Sequence, residues 1–334
     1  MTTPTRASAP EAPPAPRPSD GLLTRLRSGD FQTRDALFGI VLITPVLIWL
    51  GLVVIAPMIS AITTSFTSLR VPGAPYEIVG LEQYRGLFGD ARFRSSLLRS
   101  VVWIVGNGVL QTATALAVAL LLNRPFRGQG FVRSWIVLPW VVPVAVIAIL
   151  WRWMLDASAG VVNGILLGLG LRDAPVVFLG DPSNAFPSLI GMNSWRFFPF
   201  LTLIILAALQ TVPEHEYEAA RIDGASRWLQ FRSITFPHIL PVLTVLGLVG
   251  TLWAANVFDL VWMVTRGGPV DSTTTAPVFI YDLAFAAFNL APAAAASMLY
   301  LLLLVAFAVG FSFLVRRELR QVEETLEETV EERV

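Results

Sequence analysis

The sequence predicts an all-α membrane protein with six transmembrane helices. Three observations predict it. The chain is 54% hydrophobic and 14% charged, with a mean hydropathy of +0.65, whereas soluble domains carry roughly 25% charged residues. Apolar runs long enough to cross a bilayer recur along it. Its arginines gather on alternate connecting segments, as the positive-inside rule requires of a chain that crosses a membrane repeatedly.

The elements follow in order. The first 20 residues are rich in Pro, Ala and Thr, too poor in apolar side chains to fold, and read as a disordered tail. They lack the apolar stretch of a signal peptide. Gly21 to Arg34 suits a short basic interfacial helix with Leu22, Leu23 and Leu26 on one side. Residues 1–34 are therefore expected as a tail and interfacial helix, 35–317 as a six-span domain, and 318–334 as an acidic tail. The apolar runs are Ala36–Ala61, Leu97–Leu122, Trp135–Met154, Ala185–Leu209, Val242–Val264 and Ala293–Val315. Each supplies the roughly 20 residues that cover about 30 Å of hydrocarbon at 1.5 Å per residue. Pro45, Pro57, Pro139, Pro143 and Pro199 fall inside or at the ends of these runs, where neighbouring groups re-satisfy the carbonyls that a proline frees. Tyr76–Phe88 reads as a short amphipathic helix on the membrane surface. Ala157–Asn184 is Gly-rich and ends in the turn signal Gly180-Asp181-Pro182. In the last segment Leu319, Val322, Leu326 and Val330 recur at near-helical spacing between glutamates, a short amphipathic helix.

Arginine placement orients the chain. Arg6, Arg17, Arg25, Arg27 and Arg34 precede span one. Arg124, Arg127 and Arg133 follow span two, Arg221, Arg227 and Arg232 follow span four, and Arg316, Arg317 and Arg320 follow span six. With six spans all four groups share one side, which places both termini in the cytoplasm. Arg70, Arg85, Arg92 and Arg94 stand against this in the first outer loop, diluted by Glu77, Glu82 and Asp90. Several of the tryptophans 103, 135, 140, 151, 153 and 195 lie near span ends, where an aromatic belt forms.

Composition excludes several chemistries. The formal net charge is zero, so nothing favours nucleic acid. There is no cysteine, which removes disulfides, thiol catalysis and Cys-ligated metal sites. All 24 basic residues are arginine. A phosphate-cradling P-loop needs a lysine on the phosphates, so any ATP that drives this chain is bound by another polypeptide. His215 and His238 do not have metal-site spacing.

The most informative stretch is Glu218–Pro241, EAARIDGASRWLQFRSITFPHILP. It is a polar island between two spans, longer than a connector needs to be. Trp228, Leu229, Phe231, Ile234 and Phe236 suit a docking surface. Thr211 and Glu214 have capping-box spacing with Pro213 in the first helical turn. Gly224 is the natural break, able to take positive φ, and Ser226 is placed to cap a second short helix ending by Pro237. Glu218-Ala219-Ala220, Asp223-Gly224-Ala225, Phe231, Ile234 and Pro237 stand where the signature loop of bacterial ATP-binding-cassette (ABC) importer permeases has them, with Phe236 in place of the usual Leu. The chain resembles that family from Ala36 to Arg317. Thr265-Arg266-Gly267-Gly268-Pro269, with Phe258-Asp259 upstream, resembles the carbohydrate branch of the maltose, trehalose and glycerol-phosphate type.

The resemblance implies a type I ABC importer permease bundle with a cytoplasmic coupling helix in the loop 213–241. It implies cytoplasmic ATPase subunits that bind ATP and Mg and seat Glu218, Ala219, Ala220, Asp223, Gly224 and Ala225. It implies a second homologous permease subunit, an extracytoplasmic substrate-binding protein, and translocation of a sugar by alternating access. Membrane lipid is the surrounding partner, and no cofactor belongs to this chain.

Within the spans, Arg196 and Asp259 lie at matched depths, about 24 and about 27 Å from the cytoplasmic ends of spans four and five at 1.5 Å per residue. Isolated charges at that depth are costly, so they pair or face a wet cavity. With Asn193, Trp195 and Asn256 they are candidates for the substrate pathway, since sugars are held by aromatic faces and amides; helix–helix packing is the alternative use of the same residues. Two other functions compete. An ion-coupled secondary transporter has only Asp259 as a buried acid and leaves the long loop without a use. An intramembrane hydrolase lacks a second buried Asp to form a pair.

Overall fold

The computed structural model describes residues 31–331, and side chains from residue 38 to 313. The proline-rich tail and most of the Gly21–Arg34 segment lie outside the described residues. The chain divides into two units, Met1–Ser60 and Ala61–Val334.

The first unit carries α1 (Phe31–Leu50), continued by a π turn (Gly51–Ile55) into α2 (Ala56–Thr64), which runs past the unit boundary. The π turn has a cause in the sequence. A proline in a helix lacks its N–H and crowds the carbonyl four residues back. Pro57 follows the turn at once, and the widened turn, closed by Ala56 N–H on the Gly51 carbonyl, relieves that conflict. The same device recurs in the second unit, where the π turn Phe231–Thr235 precedes Pro237.

The second unit comprises α3 (Glu82–Gly89), α4 (Ala91–Leu122), α5 (Gln129–Ile136), α6 (Leu138–Val141), α7 (Val144–Met154), α8 (Val161–Gly168), α9 (Pro182–Leu209), α10 (Glu214–Ile222), α11 (Arg227–Gln230), α12 (Phe236–Ala255), α13 (Asp259–Val264), α14 (Ala276–Tyr281) and α15 (Leu290–Glu331). Among the described residues the only β pairing is one isolated bridge, Thr67 to Ile78. Five helices are long and apolar enough to span a membrane, beginning with Phe38–Thr64. The expected third span, Trp135–Met154, is instead a pair of helices bent by 96°. Pro143 explains the bend: it has no N–H to give, and it holds Val142 extended at φ −67°, ψ 132°. Among the described residues the chain thus has five candidate spans, or six with the bent pair. The expected short C-terminal helix is no separate element, because α15 runs without interruption from span six to Glu331.

The packing of α4 against α9 is inverted relative to a soluble core. The buried stripe of α4 includes Ser96, Ser100, Asn107 and Gln111, while Val101, Val105 and Val109 are exposed. Lipid solvates the apolar face, and small and amide side chains make the interhelical contact. Asn107 is its centre. Its amide donates to the Trp103 carbonyl (2.8 Å), and its Oδ1 accepts from Asn193 Nδ2 (2.7 Å), Gln111 Nε2 (3.1 Å) and Ser194 Oγ (3.3 Å).

Candidate functional site

Two regions at different levels of the bundle hold the residues singled out by sequence. The first is a break in span five. The span starts at α11, passes through the π turn and α12, and is interrupted at Asn256–Phe258 before α13 resumes. A break in mid-membrane leaves carbonyls that water cannot reach. Two carbonyls before it have side-chain donors: Trp103 Nε1 donates to the Ala254 carbonyl (3.0 Å), which also accepts the Val257 N–H (3.2 Å), and the Tyr300 hydroxyl to the Ala255 carbonyl (2.8 Å). Asn256 Nδ2 donates to Leu252 (2.8 Å). The interruption is thereby fixed from two other spans.

Charged side chains meet at the break. Arg196 Nη1 lies 3.7 Å from Asp259 Oδ2, with side chains 19% and 42% exposed. The Arg196 guanidinium also lies over the Phe197 ring at 4.9 Å. Its Nε is buried without a partner, so the ion pair leaves donor capacity over. Asp259 Oδ1 accepts the Leu260 N–H (2.8 Å). Asn256 is exposed and lines a cavity of about 390 Å³ with Phe258, Tyr281, Phe285, Ser297 and Tyr300. Ring centroids along this wall are 4.4–4.9 Å apart, from Trp262 to Tyr281 and from Tyr281 to Phe258 and Phe285. The cavity therefore offers aromatic faces and hydroxyls beside one amide, and the Arg196–Asp259 pair is not part of its lining.

Asn193 and Trp195 sit elsewhere. Asn193 has no exposure and belongs to the Asn107 cluster, so it faces packed helices. Trp195 is half-buried, edge-on to Trp151 at 5.6 Å. Sequence reasoning missed Trp103, Tyr300, Asn107 and Gln111. The two amides were detectable as polar residues within an apolar run. The role of Trp103 and Tyr300 was not, because it depends on a break far away in sequence.

The second region is the loop after α9. Helix α10 ends at Ile222 with Asp223 as its C-cap. Gly224 takes φ +78°. The Ala225 N–H returns to the Ala220 carbonyl (2.8 Å) and the Gly224 N–H to Arg221 (3.2 Å), which together make a Schellman motif. Ser226 Oγ accepts the Leu229 N–H (3.3 Å) and caps α11. Two expectations are corrected. Thr211 does not cap α10, because Pro213 is the N-cap; the Thr211 hydroxyl bonds the Ala208 carbonyl and His238. Nor does a second short helix end by Pro237: the π turn lets the chain pass that proline and continue as α12. The loop is tied to span five by the Tyr217 hydroxyl on Thr235 Oγ1 (2.8 Å). Ile222 is 86% exposed, and Glu218, Ala219, Asp223 and Gly224 are exposed beside it.

At the other end of α4, Arg92 makes a bidentate pair with Asp271 (2.8 and 2.9 Å) and a further bond to Asp282 (2.9 Å). The bond from Arg92 holds the Asp271 carboxyl below the usual carboxylate range, whereas burial pushes Asp282 up. Gly267 of the Gly-Gly-Pro segment has φ +85°, and a Cβ there would lie 2.5 Å from Thr274 Oγ1. Only glycine fits that turn.

Residues 111–320 match the family described as the binding-protein-dependent transport system inner membrane component. The chain is 34% identical over 268 residues to a probable ABC transporter permease protein of Brucella suis biovar 1, covering 80% of this chain and 93% of that one. It is 35% identical over 286 residues to the trehalose/maltose transport system permease protein MalF of Thermococcus litoralis, covering 83% and 93%. Its fold matches a chain of the bacterial ABC transporter involved in import of the acidic polysaccharide alginate, with a TM-score of 0.75 at 24% identity, over 89% of this chain and 98% of that chain.

Proposed function

Since this chain belongs to the family of inner membrane components of binding-protein-dependent transport systems, and is a permease component of an ABC importer rather than an enzyme, we propose that its cargo is a sugar, with a disaccharide such as trehalose or maltose as the first candidate. The relative named for trehalose and maltose, at 35% identity over most of both chains, supports that cargo. The observation that carries the mechanism is the exposed Schellman turn at Gly224, tied by Tyr217 to the start of span five. A partner ATPase seats on Glu218, Ala219, Ala220, Asp223, Gly224 and Ala225. Movement of that loop displaces α12 as a unit, and the break at Asn256 shifts against its anchors Trp103 and Tyr300. The aromatic wall with Asn256, Asp259 and Arg196 lines the path of the sugar. A second permease chain supplies the other wall, a binding protein delivers the sugar from outside, and both termini face the cytoplasm.

The test is reconstitution with the candidate ATPase, second permease and binding protein in proteoliposomes. Uptake of labelled disaccharide should require ATP and all four components, and should survive an ionophore that collapses ion gradients. Uptake that follows the ion gradient without the ATPase would overturn the proposal. A single cysteine at Ser226, in a chain with no native cysteine, should react with impermeant maleimide only from the cytoplasmic side.

A further inference from the structure

Between the loop and α4 lies a groove of about 810 Å³. One wall is α4, where Ala113, Leu116, Ala117 and Leu120 recur at i, i+3, i+4 and i+7 and form one strip. The opposite wall is Trp228 and Phe231, stacked at 5.7 Å, with Tyr217 beside them. These two rings, part of the apolar set that suits a docking surface, line the groove, and Trp228 is also 68% exposed. Arg124 and Arg227 line its end together with the uncharged Asn123 and Gln230, and no carboxylate lines the groove. Both arginines are exposed. Among the described residues neither guanidinium has an ion pair or a hydrogen-bonded partner.

We propose that this groove binds one anionic phospholipid, its phosphate between Arg124 and Arg227 and one acyl chain along the Ala113–Leu120 strip of α4. Two features select that occupant. The lining is apolar along the helix and cationic at its end, which is the polarity of an anionic lipid and not of a second apolar helix. The strip and its basic end, from Ala113 to Arg124, extend roughly 15 Å at 1.5 Å per residue, the depth of one leaflet of a hydrocarbon core about 30 Å thick. Trp228 then sits at the headgroup level, where indoles concentrate. The proposal requires only that the chain spans a bilayer, and it is independent of the cargo and of the ATPase. Because Tyr217, Arg227 and Trp228 belong to the loop while the strip belongs to span two, a bound lipid bridges them and stiffens the loop.

The test is native mass spectrometry of the purified full chain, titrated in detergent with phosphatidylglycerol, phosphatidylcholine or water-soluble glycerol phosphate. Wild type should retain one phosphatidylglycerol in preference to phosphatidylcholine, and should not retain glycerol phosphate. Each arginine contributes about fivefold near an anionic headgroup, so Arg124→Gln with Arg227→Gln should lower retention about 25-fold. Ala117→Phe keeps both charges but fills the groove, and should lower retention of both phospholipids. Circular dichroism and elution as a single species check that each variant is folded. Equal retention of the two phospholipids by wild type, or unchanged phosphatidylglycerol retention in both folded variants, overturns the proposal. Retention of glycerol phosphate alone would reduce the site to a phosphate contact and also overturn it. So would efficient cross-linking of a cysteine at Ala117 to a second permease chain, which would show the groove to be a subunit interface.

Discussion

Gly224 provides the sharpest test of the loop. Its φ of +78° closes the Schellman motif of α10, yet a Cβ built there meets nothing within 4 Å. Substitution therefore costs backbone energy alone and introduces no clash. For alanine the left-handed conformation costs about 1–2 kcal/mol, while asparagine visits it readily and costs less. Hydrogen exchange over residues 219–231, in nanodiscs without the ATPase, reads this directly. Protection of the Gly224 and Ala225 amides should fall about 5- to 30-fold in Gly224→Ala and by less in Gly224→Asn. Gly224→Asp should resemble Asn in the isolated chain, because the site is exposed and the added charge is solvated. It should nevertheless abolish ATP-driven uptake, because the charge falls in the proposed ATPase contact. If Ala and Asn lose the same protection, positive φ is not what the site demands. If Gly224→Asp transports at the wild-type rate with full ATPase stimulation, this turn is not the link.

Other expectations concern the break and the far end of α4. Arg196 and Asp259 at 3.7 Å should show a coupling of about 0.5–1 kcal/mol in a double-mutant cycle on thermal stability, and the charge swap should recover part of the uptake lost in Asp259→Asn; additive effects would refute the pairing. Trp103→Phe and Tyr300→Phe each remove a donor to a freed carbonyl and should each cost about 1 kcal/mol, with a double mutant that is not additive because both hold one break; unchanged melting midpoints in both would show that the carbonyls find other donors. Asp271, with its carboxyl held low by Arg92, stabilises the folded chain above the unfolded carboxylate pKa and loses that contribution as pH falls through its lower folded value. The pair is about 42% exposed, so Asp271→Asn should cost no more than about 1 kcal/mol at neutral pH, and should flatten the acid limb of a melting-temperature profile.

Much of this fold was legible because membrane residence writes itself in long apolar runs. Five of the runs are spans at nearly the expected places, and the loop was recognisable because its residues are polar between them. The errors share one physical source. Helix interruptions are set by where a freed carbonyl finds a donor, and hydropathy carries no record of that. Pro143, read as tolerated within a span, bends it by 96°, whereas Pro237, read as the end of a short helix, is absorbed by a π turn. Val257 is buried and apolar, so the break around it was hidden within span five. Arg196 and Asp259 were found because a charge in lipid is conspicuous. Asn193 was conspicuous for the same reason, but it is fully buried, with its Nδ2 on Asn107 and its Oδ1 without a partner.

The anchors of the break bear on how motion can pass through the bundle. From Phe236 to Ala255, α12 is one helix, and Tyr217 on Thr235 and Thr211 on His238 fasten its start to the loop. Its far end is packed in the core and accepts side-chain hydrogen bonds from Trp103 and Tyr300, each worth about 1 kcal/mol. A helix continuous along roughly 30 Å can carry a displacement of the loop to that end. The cheapest response to a displaced loop is then the exchange of those two bonds. That exchange would occur beside Asn256 and Asp259, on the proposed path of the solute. Removing both anchors, Trp103→Phe with Tyr300→Phe, leaves the loop untouched and should therefore lower uptake while leaving ATPase binding intact. Uptake at the wild-type rate in that folded double variant would place the moving part elsewhere.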